Sequence, residues 1–390
     1  MSQHPHVIGW AHTRFGKSDH PDVESLMAEV SAAAVEDAGL TAADIDAISV
    51  GVYGTDTTQQ RFEAALVGTG TPELGRVRAV RSENACATGS AALYAAFDMV
   101  EAGRARAVLV VGAEKMTRAP AATVNDVLLG AAYLPTEQQY GSFPAVFAWL
   151  ANQYAQRYSN PRDALARIAA KNHRNGVDNP YAHMQRDLGY EFCATPSERN
   201  PVVADPLLRT DCSMVSDGAA AVVVTTADVA RTARRAVAVR GRAQANDPMP
   251  LASRSDPLSF DAAANAFRSA LAEAGVGLDD LDLIETHDCF TVAELLQYEA
   301  FGLAAPGKGT LLPVEGGTDR DGKLPVNVSG GLKAKGHPIG ATGVSQHAIA
   351  AMQLVGEASG MQLPRAERAV VFNMGGAAVA NYATVLEAGR

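Results

Sequence analysis

No apolar run in this chain of 390 residues approaches the roughly 18 needed to span a bilayer, so neither a membrane helix nor a membrane partner is expected. Residues 1–16, MSQHPHVIGWAHTRFG, lack a basic segment followed by an apolar core, which argues against a secretory leader. The final EAGR is not a peroxisomal Ser-Lys-Leu address. Cysteine is scarce. Cys86, Cys193, Cys212 and Cys289 are too few and too scattered for a disulfide framework or a zinc site, so no metal is expected and a reducing cytoplasm is the expected location. Lys and Arg form no run and the formal net charge is −10, which argues against nucleic acid as the main partner. A Walker Gly-Lys-Ser/Thr loop is missing, and no Gly-x-Gly-x-x-Gly follows a strand pattern.

What is present is apolar and repetitive. Hydrophobic residues make up 47% and charged residues 19%, enough for an extensive core in two domains or one duplicated unit. Residues 36–51, EDAGLTAADIDAISVG, match residues 273–287, EAGVGLDDLDLIETH. Ala87-Thr88-Gly89 matches Ala341-Thr342-Gly343, and residues 106–112 match 368–375. Three matches in one order predict the same helix–strand–turn–helix–strand series twice, an α/β fold with helices covering sheets. The helices after Cys86 and Thr342 are small or apolar nearly all round and are expected between layers. Residues 116–206 read as an insertion with helices over 143–157 and 162–172, placed where substrate contacts often reside.

Four strings carry chemistry. In ENACATGSAA (83–92), Cys86 precedes a helix whose N-terminal dipole favours a thiolate, although a lone cysteine is also an ordinary buried hydrophobe. In ETHDCFTVAE (285–294), His287 and Cys289 follow a strand predicted over 281–286, at the strand end where α/β folds often bind ligands. A satisfied structural histidine is the bland alternative for His287. In GGLKAKGHPIGATG (330–343), glycines bracket His337 and Pro338 stiffens the turn. In FNMGGA (372–377), a glycine turn can aim backbone N–H groups into an oxyanion hole.

Together these strings resemble the thiolase superfamily, and the resemblance runs the length of the chain. His-Asp-Cys-Phe, in place of the more common Asn-Glu-Ala-Phe, is similar to the sterol-carrier-protein-2-type subgroup. The resemblance implies a five-layer αβαβα fold made of an N-terminal half (1–235, with a loop domain over about 117–206) and a C-terminal half (236–390). It implies coenzyme A and acyl-CoA as substrates with no permanently bound cofactor, a homodimer or homotetramer, and 3-ketoacyl-CoA cleavage or synthesis. Cys86 would be the nucleophile and His337 its base, with His287 and His337 donating to the thioester oxygen. The N–H groups of Cys86 and Gly375 would hold the second oxyanion. Asn373 stands where ordinary thiolases keep a second cysteine, so Cys289 is expected to supply the missing acid/base. Ser213 and Phe290 are expected beside coenzyme A. Two other readings keep the fold: an acyltransferase or carbon–carbon lyase working with a small partner protein, and a non-catalytic acyl-CoA-binding homologue.

Overall fold

The strands β4 (Ala107–Glu114) and β7 (Gly218–Thr225) read AVLVVGAE and GAAAVVVT, and every residue in both is buried. Such runs have no polar face because helices cover the sheet on both sides. The computed structural model describes residues 4–54 and 60–389. Its remaining strands are β1 (His6–His12), β2 (Ala47–Gly51), β3 (Arg78–Ser82), β5 (Val202–Ala204), β6 (Leu207–Leu208), β8 (Val237–Asn246), β9 (Leu283–Glu285), β10 (Arg368–Gly375) and β11 (Ala380–Ala388). Nine of the eleven strands form one hydrogen-bonded sheet in the order β3-β2-β4-β7-β1-β8-β11-β10-β9, while β5 and β6 form a small separate ladder.

The strand order repeats. In β1-β7-β4-β2 the first two neighbouring pairs are antiparallel and the last is parallel. The series β8-β11-β10-β9 follows the same rule, and β1 and β8 meet edge to edge at His6↔Ala238 and Val7↔Val237. The matched sequences lie at matched places: residues 106–112 give β4 and 368–375 give β10, while 87–89 and 341–343 lie in the helices Thr88–Glu101 and Ile339–Leu354 or just before them.

Alternation along the strands sorts the core into layers. Leu109, Val111, Ala221 and Val223 pack with Leu26, Val30 and Ala34 of the helix Val23–Asp37. Their neighbours Val108, Val110 and Val222 turn the other way, onto Leu93, Phe97, Val344 and Ala348 of the two central helices, and Ala369, Val371 and Leu386 meet those helices from the far side. Val370, Phe372 and Val385 then face Phe267, Leu295 and Leu296 of the helices Asp261–Ala274 and Thr291–Ala300. The halves β3-β2-β4-β7-β1 and β8-β11-β10-β9 of the one sheet thus lie on either side of the central helices, and with the outer helices they make the five layers the resemblance implies.

The two central helices approach so closely that a Cβ on Gly89 would lie 2.8 Å from Gly343 N, and one on Gly343 would lie 2.4 Å from Ser90 N. Only glycine fits at this crossing.

Between β4 and β7 the chain leaves the sheet. The helix Phe143–Arg157 has the expected bounds, and the next one runs Arg162–Gly176, four residues past the expected 172. Both pack on the helix Thr291–Ala300, where Lys171 Nζ meets Glu294 at 2.9 Å and Phe147 stacks on Phe290 with ring centroids 4.4 Å apart. The strand expected over 281–286 is shorter, Leu283–Glu285, because the Thr286 N–H turns to the Asn327 side chain at 2.9 Å. Among the described residues no helix is long and apolar enough to cross a membrane.

Candidate active site

Cys86 lies in a tight turn ahead of the helix Thr88–Glu101. Thr88 Oγ1 accepts from Asn84 N–H at 2.9 Å and donates to the Ala85 carbonyl at 2.6 Å, so the helix's first hydroxyl ties the turn together. Asn84 Nδ2 donates to Tyr382 Oη at 2.8 Å and anchors the turn to β11. Cys86 itself is buried. The sequence suggests a thiol ionised by the helix end; the structure corrects this. Burial pushes the thiol up to about 12, and the N–H groups of Gly376 and of Cys86 itself offset only part of that, while Glu114 and Glu83 add to the rise. Desolvation outweighs a helix dipole at a closed site, so this sulfur needs a base.

Two imidazoles are in place. Cys86 Sγ, a nitrogen of His287 and a nitrogen of His337 all lie within 4.8 Å of one another, and the two rings meet edge to face at 5.1 Å. The hydrogen bonds on the outer nitrogens define what the inner ones do. Asn373 Nδ2 donates to the Cys86 carbonyl at 3.1 Å and lies 2.8 Å from His287 Nδ1. An amide nitrogen can only donate, so His287 Nδ1 accepts and the proton of the neutral ring is on Nε2. Thr342 Oγ1 donates to the Pro338 carbonyl at 2.9 Å and lies 2.7 Å from His337 Nδ1, so that nitrogen carries the proton and Nε2 is a bare acceptor. Both Nε2 atoms are buried without a partner.

The pair thus presents one N–H and one lone pair beside the thiol. A metal site would need three lone pairs, and the orientation of His287 withholds one. Burial keeps both rings uncharged: His337 is pushed down to about 3 by desolvation and then by the Lys335 charge, and His287 falls well below its ordinary value through desolvation, His337 and Lys335.

Cys289 is buried beside this group, its pKa pushed up by desolvation and then by the charge of Cys86. Its carbonyl accepts from Ser213 N–H at 2.9 Å, which brings the DCSMVSDGAA segment to the HDCF segment. Phe290 is buried under Phe147 and Phe143, so it pins the inserted helix rather than offering a free ring. Gly375 ends β10, and a Cβ there would lie 2.4 Å from the Asn84 carbonyl, so its bareness makes room for the Cys86 turn.

Sequence reasoning missed the residues that orient the site. Asn373 reads as a lost thiol but aligns His287. Thr342, five residues after His337, aligns that ring. Asp288, inside HDCF, accepts from the N–H groups of Leu332 (2.6 Å) and Lys333 (3.2 Å) and from Asn172 Nδ2 (2.7 Å), clasping the glycine loop and the insertion together. Its carboxyl is raised to about 7 by burial and by Glu294. Glu114, at the end of β4, accepts from Tyr53, Gly54 and Gly340 N–H at 2.9, 2.9 and 3.0 Å and holds the GHPIG turn to the first half.

Comparison with known proteins bears on the family and the fold. Residues 6–228 match the family described as "Thiolase, N-terminal domain", and residues 243–388 match "Thiolase C-terminal domain-like". An acetyl-CoA acetyltransferase of Methanothermobacter thermautotrophicus is 36% identical over 95% of this chain and 96% of its own. Sterol carrier protein 2 of Homo sapiens is 33% identical over 95% of this chain and 69% of its own. Among solved structures, a chain of the Ltp2-ChsH2(DUF35) aldolase superposes with a TM-score of 0.83 at 23% identity, covering 99% of this chain and 98% of that one. A monomeric SCP2-thiolase like protein type 1 from Mycobacterium smegmatis gives 0.75 at 22% identity, with 98% and 76% covered.

Proposed function

The chain belongs to the thiolase family, and we propose that it is a C-acyltransferase that cleaves or forms 3-ketoacyl-CoA through an acyl-Cys86 intermediate, with acetyl-CoA as product or donor. The observation that carries this reading is the convergence of the Cys86 thiol with a proton-accepting His337 Nε2 and a proton-donating His287 Nε2.

In the cleavage direction His337 Nε2 takes the Cys86 proton and the thiolate attacks the 3-keto carbon. The Cys86 and Gly375 N–H groups hold the tetrahedral oxygen; losing one such donor typically costs about 3–4 kcal/mol of barrier. The C2–C3 bond then breaks, its electrons passing into the thioester as an enolate. His287 Nε2–H and the newly formed His337 imidazolium donate to the enolate oxygen. Cys289, a thiol in the resting site, gives its proton to the enolate carbon and releases acetyl-CoA. It then takes the proton of incoming coenzyme A, whose sulfur lifts the acyl group from Cys86, and the Cys86 thiolate that leaves regains its proton from the His337 imidazolium. In this reading Ser213 lies along the pantetheine arm, since its backbone is bonded to that of Cys289.

The test is incubation with a panel of acyl-CoA and 3-ketoacyl-CoA thioesters followed by mass spectrometry of the Cys86 peptide. An acyl adduct on Cys86 is expected, and Cys86→Ala should lower turnover by about 10⁴–10⁶-fold with an unchanged circular dichroism spectrum. An adduct on another cysteine would overturn the assignment. The partner-dependent lyase or acyltransferase uses the same three groups on the same fold. It predicts turnover only after a second protein is added, whereas the thiolase reading predicts turnover by this chain alone.

A further inference from the structure

The glycine pair that opens the His337 loop is pressed from two sides. A Cβ on Gly330 would lie 3.1 Å from the Asn172 carbonyl and 2.7 Å from Gly176 Cα, both in the inserted helix Arg162–Gly176, and one on Gly331 would lie 2.3 Å from Asp288 Oδ2. Asp288 thus sits directly on this loop, and its Oδ1 accepts from Leu332 N–H at 2.6 Å. Its Oδ2 accepts from Lys333 N–H at 3.2 Å and from Asn172 Nδ2 at 2.7 Å. The same Nδ2 also donates to Glu294 Oε2 at 2.7 Å, and Asn172 Oδ1 accepts from Lys171 Nζ at 2.7 Å. Both amide hydrogens and the amide oxygen are therefore engaged. Glu294 is completed by Lys171 at 2.9 Å, by Asn327 Nδ2 at 2.8 Å and by the Tyr298 hydroxyl. Asn172, Asp288 and Glu294 are all fully buried. Two carboxylates share one NH2 group at a place where solvent cannot substitute for it.

We propose that Asn172 is a positioning residue for Cys289 and His337, holding from the insertion the one carboxylate that ties their two segments together. The inference rests on the reading of Cys86, His337 and Cys289 as nucleophile, base and acid/base. Asp288 is the chain neighbour of Cys289, and the helix Gly331–Lys335 that it holds runs through Gly336 into His337. Once the amide is lost, the two carboxylates repel each other with no donor between them, and Asp288 carries both segments with it. Cys86 stays in place, because its turn is anchored to Thr88 and Tyr382 instead.

Asn172→Leu keeps the branching of the side chain and removes its donors. The kcat for thiolysis of acetoacetyl-CoA should fall by about 10²-fold, the loss a displacement of about 1 Å can cause, with KM unchanged. Alkylation of Cys86 by iodoacetamide at pH 7 should slow in the same protein, since the base has moved from the thiol. A purely structural asparagine predicts a lower midpoint in urea with kcat and alkylation at wild-type values in the folded protein. That result, or a change in KM alone, would overturn the proposal. Asn172→Asp combined with Asp288→Asn returns an N–H···O contact between the two side chains and keeps the total charge. The pair should alkylate faster than Asp288→Asn alone. A rate equal to or below that of the single variant would contradict the proposal, even where Asn172→Leu fails to fold. Alkylation needs no acyl-CoA, so failure to acylate Cys86 would count against the proposed function and leave alkylation to decide on Asn172.

Discussion

Thr88 and Thr342 hold the same position in the repeat, each at the start of a central helix and each donating its hydroxyl proton to a carbonyl of its own turn. What they accept differs. Thr88 takes the Asn84 N–H and so braces the backbone that presents Cys86, whereas Thr342 takes His337 Nδ1–H and so fixes which face of an imidazole is bare. A duplicated backbone thus supplied two helix starts that cross at Gly89 and Gly343, and the loops ahead of them supplied a nucleophile on one and a base on the other. The ends of β2 and β9 differ in the same manner. After β2 the described residues Tyr53 and Gly54 give their backbone N–H groups to the Glu114 clamp, while after β9 the chain delivers His287 and Cys289.

That asymmetry sets the order of expected effects. Cys289 has no counterpart after β2, so its chemistry should be lost outright when it is replaced. Cys289→Ala should cut steady-state thiolysis by about 10²–10⁴-fold, the usual share of acid–base catalysis, while Cys86 alkylation at pH 7 stays near wild type. Near-normal turnover would move the acid/base role to His287 or a water. The threonine pair gives the next effect. Thr342→Val strands a buried His337 N–H, worth about 1–3 kcal/mol, so thiolysis should fall by roughly 5–150-fold and alkylation of Cys86 should slow with it. Thr88→Val should act mainly on stability, by a similar 1–3 kcal/mol in urea unfolding, and leave the shape of the alkylation–pH profile unchanged. If the two threonines exchanged these outcomes, the division into braced nucleophile and oriented base would be wrong.

Cys86, His337 and the repeat were legible in the sequence because each is local: a small-residue helix start, a glycine-bracketed histidine, three short matches in order. An α/β fold with two helices between layers was legible in the repeat, whereas the five-layer order came from the family resemblance. What orients the site was not legible. His287 depends on Asn373, 86 residues away, and Asp288 on Asn172, 116 residues away, and neither partner carries a local signal of that contact. The ionisation of Cys86 was misjudged for a physical reason. A helix-end argument weighs the dipole and omits desolvation, which here is the larger cause.

The central claim is that a buried thiol from one copy of the repeat is activated by a base from the other. Alkylation of Cys86 measured from pH 6 to pH 10 in wild type and in His337→Ala tests it most directly, since thiolate is the reacting form. His337→Ala should react far more slowly at pH 7 and recover progressively as the pH approaches the value near 12 to which burial pushes the thiol. Equal rates in the two proteins across the whole range would mean that the helix start activates the sulfur alone, and the account of two cooperating copies would fail.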